Sequence, residues 1–538
     1  MSKNNALFGY TGFVGGNLLL KELFNNLYNS KNIKEAKNKE FDYVYLSCVP
    51  AVKWLANKNP ENDINVINEL IDVIRTIKCK KIILISTIDI YPHTDNENNE
   101  DDNIDKIENH TYGKNRRYFE KFIESNFENY HIVRLPALFG YGLKKNIIYD
   151  LLKNNQINNI PVNSKFQWYN LNWLYDDIKI IIKNEIKICN LFTEPLETKE
   201  ILKFFEYPKD IYNNEKVIKY NLTSKFSNLF DCDNNKYIRK KSEVINEIIK
   251  FINYENISKD NLCISNICVN EISQLQFSSI LKVLGFKNVE VAPTKLIDNW
   301  NELNKINFDV FIKNNINPYS FQSITYTLND LNIFSEKRNQ LLEHLKNVID
   351  TASKQNIKIL VFGCPRNRKI ININNNNEEI AINFFREIGD YCKNKSVKIC
   401  VEPNSKKYNC NFINSIEEAE IFVKKVNNPN IRMMLDLGNA IMENNNLNKI
   451  ILLKDIVEHI HVSQEYMESF NKPHTNNLIF KKYIRLMRYN KNITLEMLIK
   501  EDELNTLIKS LNNFVDIYGT IVNEQLNIST LQFKELYL

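Results

Sequence analysis

Glycine is scarce in this sequence. Only 12 of its 538 residues are glycine, well below the roughly 7% of an average protein. Long apolar runs are also missing, and none approaches the ~20 residues of a membrane-spanning helix. Excess charge is small, because 70 Lys and Arg face 65 Asp and Glu, a net charge of +5. These absences exclude a spanning helix and give no reason to expect nucleic acid or an anionic membrane as a partner.

Cysteine pairs of the C-x-x-C type are absent as well. The ten cysteines mostly lie in apolar segments, which is typical of reduced thiols in a protein core. The segment after Met1 runs directly into a short apolar stretch and lacks the longer apolar core of a signal peptide. We therefore expect a cytoplasmic protein.

The length predicts two large domains, at roughly 100–200 residues per domain. Short apolar strands alternate with helical segments over residues 1–200, and a second alternation begins near Leu262. Because the two alternations differ in pattern, we interpret the chain as a fusion, with domains at 1–250 and 262–538. The predicted fold class is α/β: a doubly wound parallel sheet followed by a (β/α)8 barrel.

Several of the few glycines cluster at the end of the first predicted strand. Gly9, Gly12 and Gly15 follow the spacing G-x-x-G-x-x-G between an apolar strand and a helical segment. Such a turn lets the backbone approach a pyrophosphate, while the helix N-terminus supplies N–H donors to the phosphates. The pattern predicts a dinucleotide site at these three residues.

The second predicted strand lacks the acidic residue that usually follows it in NAD-binding folds. Ser30 and Lys31 occupy that region instead. Their hydroxyl and ammonium groups suit a 2′-phosphate, so NADP is as acceptable as NAD. A solvated loop with no ligand is the equally weighted alternative.

Residues 4–200 resemble the extended short-chain dehydrogenase/reductase family, which includes NAD-dependent sugar epimerases and dehydratases. The resemblance rests on the glycine turn and on the segments STIDIYP, TYGKNR and RLPALFG. It implies a Rossmann-type sheet, a catalytic Tyr112 and an assisting hydroxyl on Thr87. Arg116 stands where the family has a lysine. Arginine keeps the positive charge that would lower the pKa of a tyrosine, but it does not release its proton.

The second half contains a series of eight apolar segments that we predict to be barrel strands. In order they are LCISNI, VEVAP, SITYT, IKILVFG, VKICVE, IRMMLDL, EHIHVS and NITLEM. The last four carry Glu402, Asp436, His461 and Glu496 near their ends, spaced by 34, 25 and 35 residues. One βα unit of a barrel takes roughly 30 residues, so the four side chains are expected to meet at the mouth. Three carboxylates and one imidazole together predict a site for Mn²⁺, Mg²⁺ or Co²⁺.

Residues 262–500 resemble the xylose isomerase-like superfamily of TIM-barrel sugar phosphate isomerases and epimerases. The order Glu402, Asp436, His461, Glu496 matches its ligand set. The resemblance implies that Glu402 and Glu496 also act as acid and base on opposite faces of the substrate. We expect His459 to point to the other side of its strand from His461, either as a packing residue or as a residue that supports the ligands from behind.

Basic and amide side chains near the barrel strands are further candidates for substrate contact. Arg366, Arg368 and Lys369 follow the IKILVFG strand, and they form either a phosphate or carboxylate site or a solvated turn. Gln322 and Asn404 are candidate hydroxyl contacts.

Together these features predict a bifunctional carbohydrate enzyme with a sugar, sugar phosphate or nucleotide sugar as its small-molecule partner, possibly a homo-oligomer. By analogy we expect it to serve surface-polysaccharide sugar biosynthesis. One alternative is that only the barrel is catalytic and the first half is a regulatory or scaffolding nucleotide binder. The other is a sugar-binding or assembly protein without activity.

Overall fold

A computed structural model of the chain describes residues 4–205, 217–230, 236–372 and 376–521. These residues divide into two compact units. The first, here called the N-terminal unit, extends to Ile257 and includes Ile521; the second, called the barrel unit, spans Ser258–Thr520. Within the described ranges, no helix combines the length and apolar character needed to cross a membrane.

The N-terminal unit alternates strands and helices. Its strands are β1 (Ala6–Phe8), β2 (Asn26–Tyr28), β3 (Glu40–Leu46), β4 (Lys78–Thr87), β5 (Tyr130–Leu135), β6 (Ala137–Phe139), β7 (Lys165–Phe166), β8 (Trp168–Asn170), β9 (Ile188–Asn190) and β10 (Leu196–Glu197). Its helices are α1 (Phe13–Leu18), α2 (Lys53–Lys58), α3 (Pro60–Ile74), α4 (Thr111–Asn126), α5 (Ile147–Lys153), α6 (Leu174–Lys183), α7 (Thr198–Leu202) and α8 (Lys241–Glu255).

The main sheet of this unit is parallel, as predicted. Its strands pair in the order β2-β1-β3-β4-β5-β9. Counted along the sheet, this is 2-1-3-4-5-6, whereas the usual dinucleotide-binding order is 3-2-1-4-5-6. The order reverses between β1 and β3, so the carboxyl ends of these two strands border the crevice where open α/β sheets bind ligands.

One face of the sheet is covered by α3 and α4. Phe8 and Leu46 from the strands pack in one buried cluster with Ile71 of α3 and Phe119 of α4. The apolar residues of α3 recur at helical spacing, and burial of such a stripe stabilises a helix against a sheet. This packing fixes the start of α4, which contains Tyr112 and Arg116.

The barrel unit is a closed barrel of parallel strands, and the predicted TIM-barrel architecture is confirmed. Around the barrel the strands are β12 (Leu262–Ser265), β13 (Asn288–Val291), β14 (Asn317–Phe321), β15 (Ile359–Phe362), β16 (Lys398–Val401), β17 (Ile431–Asp436), β18 (Val457–Val462) and β19 (Ile493–Leu495). Two short strands lie outside it: β11 (Ile257–Ser258) and β20 (Thr520–Ile521). The helices are α9 (Gln274–Leu284), α10 (Asp309–Ile312), α11 (Arg338–Lys354), α12 (Asn377–Tyr391), α13 (Ile416–Val426), α14 (Leu437–Met442), α15 (Asn476–Leu486) and α16 (Glu503–Tyr518).

The third barrel strand differs from its prediction. The predicted segment SITYT forms turns, and the strand is Asn317–Phe321 just before it. The backbone enters the left-handed region at Ser323 (φ 52°) and Thr327 (φ 73°), which ends the extended conformation. Pro318 obscured the true strand, since proline removes a ladder hydrogen bond and usually argues against a barrel strand.

A buried carboxylate anchors the loop after the first barrel strand. Glu503, at the start of α16, accepts hydrogen bonds from the backbone N–H groups of Asn270 (2.9 Å), Glu271 (3.0 Å) and Ile272 (2.8 Å). Hydrogen bonds to a charged group contribute about 1.5–3 kcal/mol each. This one side chain therefore fixes a loop at the mouth of the barrel.

We expect Glu503→Gln to destabilise the barrel unit by about 2 kcal/mol, because an amide presents N–H groups to backbone N–H groups. Calorimetry of the full chain measures this as a lower unfolding temperature for the barrel transition. Glu501→Gln, at an exposed position two residues earlier, is the matched control. Equal transitions for both variants would show that the loop has another anchor.

Candidate functional site

Four side chains from successive strands meet at the mouth of the barrel. Glu402 and Glu496 directly follow β16 and β19, Asp436 ends β17, and His461 lies in β18. All four are buried, and their ligand atoms lie within 4.8 Å of one another. The structure thus brings together the four residues that the sequence spacing singled out.

His461 contacts the other members through one ring nitrogen. Its Nδ1 lies 3.2 Å from Oε2 of Glu496 and 3.9 Å from Oε1 of Glu402. Although buried, Nδ1 has no aligned hydrogen-bond partner among the described residues. A buried, unpaired nitrogen facing two carboxylates is typical of a metal ligand.

The Asp436 carboxylate is held by hydrogen bonds from the segment that follows its own strand and from the end of the next strand. Its Oδ1 accepts a hydrogen bond from the N–H of Asn439 (2.6 Å), so it caps α14. Its Oδ2 accepts one from the hydroxyl of Ser463 (2.7 Å), which in turn accepts from the N–H of Gly438 (2.9 Å). The carboxylate is thereby fixed before any ligand arrives.

Glu402 depends on a glycine in the neighbouring strand end. A Cβ atom at Gly363 would lie 1.7 Å from Oε2 of Glu402. The φ angle of Gly363 is outside the left-handed region, so backbone conformation does not require glycine there. Glycine is required because the Glu402 carboxylate occupies the space of a Cβ atom.

Burial and mutual repulsion shift the protonation of these groups. Burial, then the charges of Glu496 and Asp436, raise the pKa of Glu402 well above its usual range. Burial and Glu496 raise the pKa of Asp436 to about 6. Burial disfavours charged His461, but Glu290 and Glu496 outweigh this and raise its pKa. The pocket therefore holds more negative charge than its own cations balance.

Glu290 is a central residue that sequence reasoning missed. It lies in β13, is fully buried, and contacts Nε2 of His461 and Nε2 of His459, each at 2.8 Å. The signal was a carboxylate within the apolar segment VEVAP. His459 and His461 lie on the same side of β18, with ring centroids 5.0 Å apart. The expectation of opposite sides was wrong, because residues two apart share a face of a strand.

The three basic residues after β15 differ in burial and in hydrogen bonding. Arg368 is completely buried and donates from Nη2 to Oδ1 of Asn404, while its Nε and Nη1 have no partner among the described residues. Arg366 is exposed, and Lys369 donates to Asn409 (2.7 Å). Gln322 donates to the hydroxyl of Ser265. Of the three basic residues, Arg368 is the one whose charge acts on Glu402.

The glycine turn of the N-terminal unit is closely packed. Gly9 has φ +88°, and a Cβ there would lie 2.4 Å from the carbonyl oxygen of Ser47. A Cβ at Gly15 would lie 2.3 Å from the carbonyl oxygen of Gly9. The N–H of Gly12 donates to that same oxygen (2.9 Å). Glycine is therefore required where α1 meets the ends of β1 and β3.

The two predicted cofactor segments lie at one edge of the sheet. The N–H of Gly9 donates to the carbonyl of Tyr28 at the end of β2 (2.8 Å). Ser30 and Lys31 follow Tyr28 closely, and both are exposed. The turn and the two polar residues are thus neighbours at the carboxyl ends of β1 and β2.

Tyr112, Thr87 and Arg116 come together at the start of α4. The guanidinium carbon of Arg116 lies 4.2 Å from the ring centroid of Tyr112. Burial raises the pKa of Tyr112, and the opposing effects of the Arg116 charge and of hydrogen bonding with Thr87 are smaller. This direction is opposite to the lowered pKa expected beside a cation.

Arg116 is engaged by a buried carboxylate that sequence reasoning missed. Its Nη1 lies 2.8 Å from Oδ2 of Asp63 and its Nη2 lies 3.1 Å from Oδ1. Nη2 also donates to the carbonyl of Pro50. Arg116 and Asp63 are both buried, and an ion pair with two N–H···O contacts holds the guanidinium in one orientation. Arg116 therefore supports the packing of α3 against α4.

Comparison with known proteins places the barrel unit in a family. Residues 279–513 match the family described as xylose isomerase-like TIM barrel. The barrel unit is a xylose isomerase-like TIM barrel, and the family match lies within it. No curated protein sequence matches the chain.

Solved structures match this chain at low sequence identity. One is 3-keto-D-glucoside 4-epimerase YcjR from E. coli, with 14% identity, TM-score 0.41, and coverage of 48% of this chain and 99% of that chain. D-psicose 3-epimerase from Clostridium cellulolyticum H10, solved with D-tagatose, has 15% identity, TM-score 0.41, and coverage of 48% and 100%. An AP endonuclease of family 2 from Brucella melitensis has 16% identity, TM-score 0.39, and coverage of 46% and 96%.

We expect Gly363→Ala to weaken Mn²⁺ binding at least tenfold, because the added methyl group displaces the Glu402 carboxylate. Isothermal titration with Mn²⁺ measures the change. Cys364→Ala, at the adjacent half-buried position, is the control and should bind as the unaltered chain does. Unchanged affinity in Gly363→Ala would show that Glu402 is not a ligand.

Proposed function

We propose that this protein is a bifunctional carbohydrate enzyme. Residues 262–538 form a divalent-metal-dependent sugar or sugar phosphate isomerase or epimerase. Residues 1–250 form an NAD(P)-dependent sugar or nucleotide-sugar epimerase or reductase. The observation that carries the proposal is the meeting of Glu402, Asp436, His461 and Glu496 at the barrel mouth.

The four side chains fit a divalent ion. They offer three carboxylates and one imidazole nitrogen, and His461 Nδ1 is buried without an aligned partner. Burial and, after it, repulsion between the carboxylates raise the pKa of Glu402 and Asp436, and a dication would offset the repulsion. Hard oxygen donors with one nitrogen favour Mn²⁺, Mg²⁺ or Co²⁺.

When bound, the ion polarises a substrate carbonyl and its neighbouring hydroxyl, which acidifies the adjacent C–H. The carboxylate of one glutamate, Glu402 or Glu496, accepts that proton, and the C–H electron pair moves toward the carbonyl to give an enediolate. The carboxyl group of the other glutamate returns a proton to carbon. Return on the opposite face inverts a stereocentre. Return to the neighbouring carbon, with the proton of the neighbouring hydroxyl passing to the former carbonyl oxygen, moves the carbonyl.

The substrate class follows from this chemistry and from the surroundings of Glu402. A ketose, free or phosphorylated, supplies the carbonyl and adjacent hydroxyl. Arg368, with two unpartnered nitrogen atoms and no ion pair within the described ranges, favours a substrate with an anionic group on that side. Two of the three solved structures named above are, by their names, epimerases of a keto-glycoside and of a ketose. A role in surface-polysaccharide sugar biosynthesis stays a prediction.

We expect Glu402→Gln and Glu496→Gln each to reduce proton exchange at least 100-fold, since general acid–base groups contribute about 10²–10⁴. The measurement is deuterium incorporation from D₂O into a panel of ketoses and sugar phosphates with Mn²⁺, read by mass spectrometry. Glu468→Gln, exposed and close in sequence to His461, is the control.

Metal content separates ligation from proton transfer in these variants. If both Gln variants keep the metal content and the exchange rate of the unaltered protein, the proposed barrel reaction is wrong. Loss of exchange with metal retained assigns the altered residue to proton transfer.

For the N-terminal unit, the glycine turn and the nearby Ser30 and Lys31 support a nicotinamide nucleotide. Tyr112 and Thr87 are the proposed proton-transfer pair. A second candidate function is nucleotide binding without turnover, and the pairing of Arg116 with Asp63 favours it. A guanidinium that is committed to a buried carboxylate is less available to the phenol or to a ribose.

We expect NADH and NADPH to bind with micromolar affinity, measured by nicotinamide fluorescence. Lys31→Glu should weaken the binding of NADPH more than that of NADH, since it places a carboxylate near the 2′-phosphate.

Tyr112→Phe should keep nucleotide binding and abolish any change in nicotinamide absorbance with sugars. Binding without any redox change in the unaltered protein would select the second candidate, and an equal effect of Lys31→Glu on both nucleotides would remove Lys31 from the site.

The remaining alternative is a sugar-binding or assembly protein with neither activity. The same exchange and absorbance measurements decide it, because such a protein would bind sugars without deuterium incorporation or nicotinamide turnover.

A further inference from the structure

Glu290 occupies the interior of the barrel beneath the four-residue site. It comes from β13, whereas the two histidines it touches come from β18, which is not a neighbouring strand. Its Oε1 lies 2.8 Å from Nε2 of His461. Its Oε2 accepts a hydrogen bond from the hydroxyl of Ser320 (2.6 Å) and lies 2.8 Å from Nε2 of His459. Glu290 and both histidines are completely buried.

The contact between Glu290 and His461 decides which ring nitrogen carries the proton. Oε1 of Glu290 and Nε2 of His461 lie 2.8 Å apart, and neither atom has an aligned hydrogen-bond partner among the described residues, so each is the polar group available to the other. A carboxylate accepts and an imidazole N–H donates, which puts the proton on Nε2. The lone pair is then on Nδ1, the nitrogen that faces Glu402 and Glu496.

We propose that Glu290 is a positioning residue for the barrel metal centre. It holds His461 as the Nε2–H form and aims the Nδ1 lone pair at an ion shared with Glu402, Asp436 and Glu496. The proposal rests on the proposed function, because it assumes that these four residues bind a metal. A carboxylate behind a ligating histidine fixes the ring and raises its basicity.

A second ion at Glu290, His459 and His461 is the competing interpretation, since these three groups also lie close together. The two carboxylate oxygens each lie at hydrogen-bond distance from one histidine nitrogen. Such spacing suits shared protons, and metal stoichiometry distinguishes the two interpretations.

The test is Mn²⁺ affinity of the full chain with Glu290→Gln. The amide keeps the size of the side chain but presents N–H groups, so it no longer enforces the Nε2–H form of both histidines. We expect Mn²⁺ to bind 10–100 times more weakly, as is typical when the outer partner of a ligating histidine is lost. Ser320→Ala is the matched control, because Ser320 bonds the same carboxylate at Oε2, the oxygen that faces His459.

A merely structural role predicts a different result, in which Glu290→Gln and Ser320→Ala lower the unfolding temperature but leave the affinity of the folded chain unchanged. That result overturns the proposal, as does an equal loss of affinity in both variants. A fall from two Mn²⁺ per chain to one in Glu290→Gln also overturns it and selects the second ion. If the unaltered chain binds no Mn²⁺ or Co²⁺, the proposed function itself fails.

A measurement on the unaltered protein keeps the proposal testable should Glu290→Gln not fold. Anomalous diffraction from crystals with Mn²⁺ locates the ion relative to the His461 ring. An ion on the Nδ1 side, with Nε2 within hydrogen-bond distance of Glu290, supports the proposal. An ion bound to Nε2 contradicts it, whatever the activity.

Discussion

Repulsion among three buried carboxylates is the constraint on which the barrel mouth depends. Glu402, Asp436 and Glu496 lie within a few ångströms of one another, where water cannot screen them. Burial first, and then this repulsion, raise the pKa of Glu402 and that of Asp436. Such an arrangement persists only if the fold holds each group independently and if cations balance the charge. His461 and Arg368 supply part of that balance, and a divalent ion would supply the rest.

The fold accommodates these carboxylates by placing glycine, a rare residue in this chain, beside them. Gly363 leaves the space that Glu402 occupies. At Gly438, a Cβ would lie 2.6 Å from the Ser463 hydroxyl that holds Asp436. In a chain with so few glycines, these positions are explained by close approach of side chains. The site is thus built from residues at the ends of the strands, so the barrel sets its geometry more than the loops do.

The sequence predicted most of the barrel because two regularities coincide there. Strand spacing and the polar residue at each strand end together placed Glu402, Asp436, His461 and Glu496 at one mouth. Glu290 was not predicted, because a single carboxylate in an apolar strand has no partner near it in sequence and meets its partners only when the barrel closes. The third strand was predicted at the wrong segment, because Pro318 argues against a barrel strand. Parallel pairing in the N-terminal sheet followed from βα alternation, but its strand order did not, because order depends on long-range packing.

Arg116 shows why a motif residue does not fix its chemistry. An ammonium at this place would be a point charge free to approach a phenol, whereas the guanidinium fork fits a carboxylate with two nitrogens. Asp63 accepts that fork, and the guanidinium carbon lies 4.2 Å from the centroid of the Tyr112 ring. The charge therefore stabilises the α3–α4 contact, and the Tyr112 hydroxyl is left with burial as the dominant effect on its pKa. In the proposed function, nucleotide binding would depend on the glycine turn and proton transfer on Tyr112, so loss of the second would not require loss of the first.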